Sequence, residues 1–186
     1  LFLKTKNIGD AIILTASIAA LPSSYRYVDV ICLPHSEPIF RMNKRVRHVF
    51  VIPRDKNGLN KITVYFKIFK HLFNEHYDLL AQFSNDWRGA FLARLLKVDI
   101  AISRKAPRRG SFWHNSFNYL APELDHIRPM AEQDVDLLRS AKIYKKSTSC
   151  ETEIKTNILY VLRQYWLYKN NKTESFEIPN NLPVLQ

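Results

Sequence analysis

Apolar and polar positions along the chain follow two alternating periods. Compact, largely apolar and often β-branched runs recur at Leu1–Thr5, Val28–Leu33, Val46–Pro53, Asp78–Phe83 and Ile100–Ser103, the composition of strands buried on both faces. Helical spacing fills the intervals. Ala11–Leu21 is apolar almost all round and stops at Pro22 and Ser23-Ser24, as expected of a helix packed into a core. A short helix is predicted over His35–Met42. Beyond a polar turn at Asp55–Asn60, Ile62, Tyr65, Phe66, Phe69, Leu72 and Phe73 form one stripe, with Lys61, Lys67, Lys70 and His71 on the other side. The spacing assigns Phe66 and Phe69 to the core. Trp87–Lys97 is read as a helix with Phe91, Leu92, Leu95 and Leu96 inward, and Pro129–Ser140 as another. Strands alternating with helices predict βαβ units, hence an α/β fold with a Rossmann-like, mainly parallel sheet flanked by helices.

The pattern changes after Arg104. Lys105–Gly110 is basic and turn-forming, and Ser111–Leu120 is aromatic-rich, with Phe112 and Trp113 on a loop where they either pack or touch a ligand. Residues 1–143 thus make a Rossmann-like domain. Residues 144–186 contain a polar linker at Tyr144–Ser149 and a polar tail. Between them Ile154, Ile158, Val161, Leu162, Tyr165 and Trp166 mark an amphipathic helix over Glu151–Tyr168.

Composition narrows the function classes. Hydrophobic residues at 46% of the 186 positions supply a core and argue against a disordered chain. No apolar run approaches a membrane span, and Asp10 interrupts what would otherwise resemble a signal sequence after Lys4 and Lys6. Cys32 and Cys150 read as reduced thiols of a cytoplasmic protein. The histidines lack metal-site spacing, so no metal is expected. The formal charge of +11 is uneven. Arg41–Leu72 holds nine Lys/Arg against Asp55, and Arg88–His114 holds seven against Asp99, whereas Glu123–Asp136 has five acids against Arg128. Two basic blocks suggest a polyanionic partner, with solvated surface charge as the plain alternative.

The candidate chemistry lies at the first strand-to-helix turn, Lys6-Asn7-Ile8-Gly9-Asp10. Ligands of open α/β sheets gather beyond the carboxyl ends of the strands. Gly9 permits a close approach or a positive φ. Asp10 either caps the helix or takes a proton from a bound hydroxyl, and the pair alone leaves both open. With four glycines in the chain and no GxGxxG, a dinucleotide site is not expected.

The run Asn7-Ile8-Gly9-Asp10-Ala11-Ile12-Ile13-Leu14-Thr15 resembles the opening of the ADP-heptose:lipopolysaccharide heptosyltransferases, glycosyltransferase family 9. Val28-Asp29-Val30-Ile31, Tyr77-Asp78-Leu79-Leu80, Phe91–Leu96 and Ala101-Ile102-Ser103-Arg104 are similar to later family elements in the same order. Ser111-Phe112-Trp113 is similar to the branch that adds a later inner-core heptose. Ala16 stands where the family usually has Pro. The resemblance implies the N-terminal, acceptor-side half of a GT-B architecture, and residues 144–186 as the start of a donor domain or a truncated end. It implies inverting, metal-independent transfer from ADP-heptose to the phosphorylated inner core, with Asp10 as general base. Lys4, Lys6, Gly9, Arg88, Arg104, Arg108 and Arg109 would bind the acceptor, and no cofactor beyond the donor substrate is implied. The location implied is the cytoplasmic face of an anionic inner membrane. Two rivals stand beside it. One is a catalytically inactive member or acceptor-binding module. The other is a nucleic-acid-binding protein, against which the absence of any RRM or helix-turn-helix pattern argues.

Overall fold

The computed structural model describes residues 1–54, 58–124 and 127–143, with Leu162. The side chains of 58–61 lie outside that description, as do the amphipathic stretch 151–168 apart from Leu162 and the division at 144.

The chain runs β1 (Phe2–Lys4), α1 (Ile8–Ala20), β2 (Val28–Cys32), a 3₁₀ turn (Pro34–Ser36), α2 (Glu37–Arg41), β3 (Val46–Val51), α3 (Gly58–Asn74) and β4 (Leu79–Gln82). It continues through α4 (Trp87–Leu95), β5 (Ile100–Arg104), α5 (Ser111–His114), β6 (Tyr119–Ala121) and α6 (Met130–Ser140). The strands form a six-stranded sheet in the order β3-β2-β1-β4-β5-β6, and every pairing is parallel. The fold is therefore Rossmann-like, with the order reversing between β1 and β4.

Alternate side chains on each strand feed opposite cores. Phe2, Val30, Ala81 and Ile102 face a cluster shared with α1, α2 and α6. Leu3, Ile31, Leu80 and Ala101 face a second one shared with α3, α4 and α5. This period of two on the inner strands is why they read as continuous apolar runs. Because α1 lies against the sheet and also contacts α6 and α2, its apolar residues run around the helix. Its last turn has no glycine. Instead Arg45 donates to the carbonyls of Ile18 (2.8 Å), Leu21 (3.1 Å), Pro22 (3.1 Å) and Tyr25 (2.7 Å), satisfying oxygens that a helix end leaves free.

The amino ends of the strands are tied by Asp29. Arg47 grips its carboxylate at 3.1 and 2.8 Å, the Tyr77 hydroxyl donates at 2.7 Å, and the His48 amide donates at 3.1 Å. Burial alone would raise the pKa of Asp29, but the bonds from Arg47 and Tyr77 overcome it and pull the value down to about 2. A depressed carboxylate stabilises the fold above its unfolded pKa and ceases to do so as pH falls through the folded one. Removing this carboxylate, as Asp29→Asn, should therefore flatten the loss of melting temperature between about pH 4 and pH 2, the shift being worth up to about 2 kcal/mol. Parallel acid-melting curves for the two proteins would argue against it.

Two sequence expectations are corrected on the α3–α4 side. Phe66 is 68% exposed, and Phe91 and Leu95 also face solvent. Of those stripes only Leu72 and Leu92 are buried, and Ile68, which the α3 stripe left out, is buried as well. The spacing gave the helices correctly, but the sheet covers only part of each stripe. The aromatic segment after Gly110 also differs: it forms α5 with Trp113 fully buried, and then a sixth strand that no apolar run announced.

Candidate functional site

The order reversal sends the chain from neighbouring strands β1 and β4 to opposite sheet faces, opening a crevice at their carboxyl ends. The two loops there are zipped together. The Thr5 amide donates to Ser84 Oγ at 3.1 Å, the two hydroxyls meet at 3.0 Å, and Thr5 Oγ1 also donates to Asp86. Asp86 caps α4 by accepting from the Arg88 amide at 2.9 Å. Beneath it, Gln82 Nε2 donates to the carbonyls of Ser84 and, at 3.2 Å, Asp86. Gly89 sits directly over that amide. A Cβ there would fall 1.8 Å from Gln82 Oε1, so only glycine lets α4 lie this close.

Behind the crevice is a charge cluster. Lys4 ends β1 with its side chain 1% exposed, its ammonium 2.6 Å from Asp134 Oδ2 and 3.6 Å from Asp10 Oδ1. Arg104 ends β5 with Nη2 3.5 Å from Asp134 Oδ1, and donates to the carbonyl of Gln133. Burial lowers the pKa of its guanidinium, with the Asp134 charge opposing. Two cations and two carboxylates thus balance, the condition under which charges persist away from water. Asp10 is the outer member, 22% exposed. The N-cap of α1 is Asn7, so Asp10 stands within the first turn.

The predicted residues divide by position. Lys4, Arg104 and Asp10 come together in the cluster, the first two buried. Gly9 is exposed, with no heavy atom within 4 Å of where a Cβ would stand. No glycine among the described residues has positive φ, so of its two sequence roles the close approach remains. Arg88 is exposed beside Asp86 at 3.4 Å, and Arg108 is exposed one residue before Arg109. Arg109 lies over Trp87 and Trp113, 5.2 and 5.6 Å from their ring centres, and donates to the Asn85 carbonyl. It fastens the β5–α5 loop to the β4–α4 loop. Lys6 is half-buried, and its carbonyl lies 3.1 Å from His35 Nε2.

Sequence reasoning missed Asp134, which counted only as part of an acidic block, and the Thr5–Ser84–Asp86 zip. The signal for Asp134 was an acid among apolar Val135, Leu137 and Leu138, a position on the buried face of α6. Away from the crevice, Asp29, His48 and His71 bring ligand atoms within 4.8 Å of one another. Asp29 already accepts from Arg47, Tyr77 and the His48 amide, so this group reads as the structural tie described above. The Cys32 thiol is buried, which pushes its pKa up to about 12 and keeps it protonated and inert.

A parallel sheet with its polar crevice at the switch point places the chain in the Rossmann-like α/β class, and the solved structures it resembles share that fold. No family profile matches the chain. Structural likeness runs to E. coli heptosyltransferase WaaC with ADP, at TM-score 0.59 and 15% identity over 79% of this chain and 48% of that one. A glycosyltransferase family 9 protein from Veillonella parvula matches at 0.56 and 14%, over 80% and 42%. In sequence, lipopolysaccharide heptosyltransferase 3 of Escherichia coli is 31% identical over 118 residues, 61% of this chain and 35% of the relative. That of strain K12 is 28% identical over the same length. The chain is thus similar to heptosyltransferases of glycosyltransferase family 9 over most of its described residues, and it spans about a third of the length of the curated relatives it matches.

Proposed function

We propose that this chain forms the acceptor side of an enzyme that transfers heptose from ADP-heptose to the inner core of lipopolysaccharide, with Asp10 as general base. The observation that carries the reading is Asp10 itself: a partly exposed carboxylate at the sheet switch point, backed by a buried ammonium. It is supported by relatives named as lipopolysaccharide heptosyltransferases and by solved WaaC complexes with ADP and with ADP-2-deoxy-2-fluoro heptose.

In this reading an Asp10 oxygen accepts the proton of an acceptor hydroxyl as that oxygen bonds to the anomeric carbon. The bond from that carbon to the diphosphate breaks, ADP leaves with the electron pair, and the configuration inverts in one displacement. The proton then passes from Asp10 to solvent. Lys4 positions the carboxylate and stays out of contact with substrate, because Asp134 and its burial hold it. Gly9 leaves room for the acceptor to approach the helix start. Arg88, Arg108 and Lys6 suit the carboxylates and phosphates of an inner-core acceptor, which charge-assisted hydrogen bonds hold well. The acceptor is lipid-anchored, so the protein works at the cytoplasmic face of an anionic membrane.

The test is transfer kinetics of the native polypeptide with ADP-heptose and a heptose-accepting core. Arg108→Ala should raise the acceptor KM about three- to tenfold, the range for an exposed charged contact, with the donor KM unchanged. No transfer to any core acceptor would overturn the reading.

A further inference from the structure

The two sheet faces differ in charge as well as in packing. On one side α1, α2 and α6 carry Asp10, Glu37, Glu132, Asp134 and Asp136 among their cations. On the other, α3, α4 and α5 contain no acidic residue at all. Lys67, Lys70, Arg88 and Arg94 are exposed there. The same helices expose their aromatics. Phe66, Phe73 and Phe91 are 68, 55 and 52% exposed, joined by Ile62, Trp87, Leu95 and Phe112. Phe66 and Phe73 stand beside Ile62 on one side of α3, flanked by Lys70 and then Lys67 at helical spacing. Between α3 and α4 opens a groove of about 220 Å³. Its floor is Ile31 and Ile52, and Phe69, Phe91 and Leu95 are among its walls.

Large side chains exposed in one contiguous patch mark an interaction surface. Apolar side chains rimmed by lysine and arginine, without an acid, have the composition of helices that lie in a bilayer interface. We infer that the α3–α4–α5 face docks on an anionic lipid bilayer, its aromatic side chains entering the headgroup–acyl boundary and its cations lying among lipid phosphates. A protein partner would be served by mixed charge along the face, whereas the helices here carry cations alone and the nearby acids Asp86 and Glu75, paired with Arg88 and Arg47, sit beyond the helix ends. The geometry joins the face to the site, because Trp87 and Arg88 open α4 at the crevice while Phe91 and Leu95 follow on the same helix. Docked this way, the crevice opens at the level of the headgroups. The inference deepens the proposed membrane location, yet stands on surface features alone, so its failure and that of the transfer reaction are separable.

The experiment is co-sedimentation of the full chain with vesicles of phosphatidylcholine alone or with phosphatidylglycerol added, alongside Phe66→Ser/Phe91→Ser, Lys67→Glu/Lys70→Glu and, on the other face, Arg41→Glu. The chain should bind the anionic vesicles. Each double variant should lower that partition by about tenfold or more, since each juxtamembrane cation contributes on the order of 1 kcal/mol, while Arg41→Glu changes it little. All replaced side chains are exposed, so circular dichroism should show unchanged folding. Binding retained by both double variants, or lost equally in Arg41→Glu, would overturn the inference. So would absence of vesicle binding together with a change of oligomeric state in Phe66→Ser/Phe91→Ser, which would make the face a contact between chains.

Discussion

Asp10→Asn is expected to reduce heptose transfer by about 10²- to 10⁴-fold, the usual contribution of a positioned general base, while the melting temperature hardly moves. The two effects separate because of where Asp10 sits in the charge cluster. It is the outermost and least buried member, 3.6 Å from Lys4, whereas Asp134 holds that ammonium at 2.6 Å. An amide is nearly isosteric with the carboxylate and cannot take the proton, so the loss should fall on kcat and leave the acceptor KM close to its original value. Transfer at near-normal rates, measured as ADP release with the core acceptor, would remove Asp10 from the base role.

The second large effect falls on stability. Asp134→Asn takes the closest anion away from Lys4 and the only carboxylate paired with Arg104 among the described residues. Breaking a buried pair from one side leaves an uncompensated charge and costs about 3–5 kcal/mol. For a chain of this size that lowers the melting temperature by roughly 6–20 °C. The combined variant Lys4→Met/Asp134→Leu should regain part of the loss, because it removes the unpaired ammonium, while Arg104 still lacks its carboxylate and keeps the recovery incomplete. It should not regain activity, since Asp10 then lacks the ammonium behind it. A melting curve for Asp134→Asn that overlays the parent would show the pair to be energetically empty. Equal losses from the single and combined variants would mean that shape, not charge, matters here.

The contrast between Asp10 and Asp134 also measures how much the sequence disclosed. Five strands and their helices were legible, because buried parallel strands write themselves as apolar runs and their crossovers as helical stripes. Asp10 was legible because a carboxylate in the first strand-to-helix turn falls at the carboxyl edge of the sheet in any such fold. Asp134 was not, since its partner lies at the other end of the chain and no local pattern records a non-local ion pair. β6 escaped because Tyr119–Ala121 is an edge strand of three residues, too short to show a period. A stripe places Phe66 and Phe91 inward because it shows which side of a helix is apolar, not how much of it the sheet covers. Charge and position mark Arg109 and Lys4 as candidates for ligand contact. Their placement over Trp87 and Trp113, and beneath Asp10, depends on side-chain packing that spacing does not encode.

The Lys4–Asp134 pair joins residues 130 positions apart. Closing so long a loop is entropically expensive, and contacts of this kind form late. The central strand β1 is complete without it, since β2 and β4 already flank that strand. An opening of α6 would leave the sheet paired but would also uncover Val135, Leu137 and Leu138, and reclosing it restores the carboxylate that holds Lys4 behind Asp10. The crevice and helix α6, which packs on α1, β5 and β6, are in this way one cooperative unit, so a ligand that holds Asp10 in place also favours the closed position of a helix at the far end of the chain.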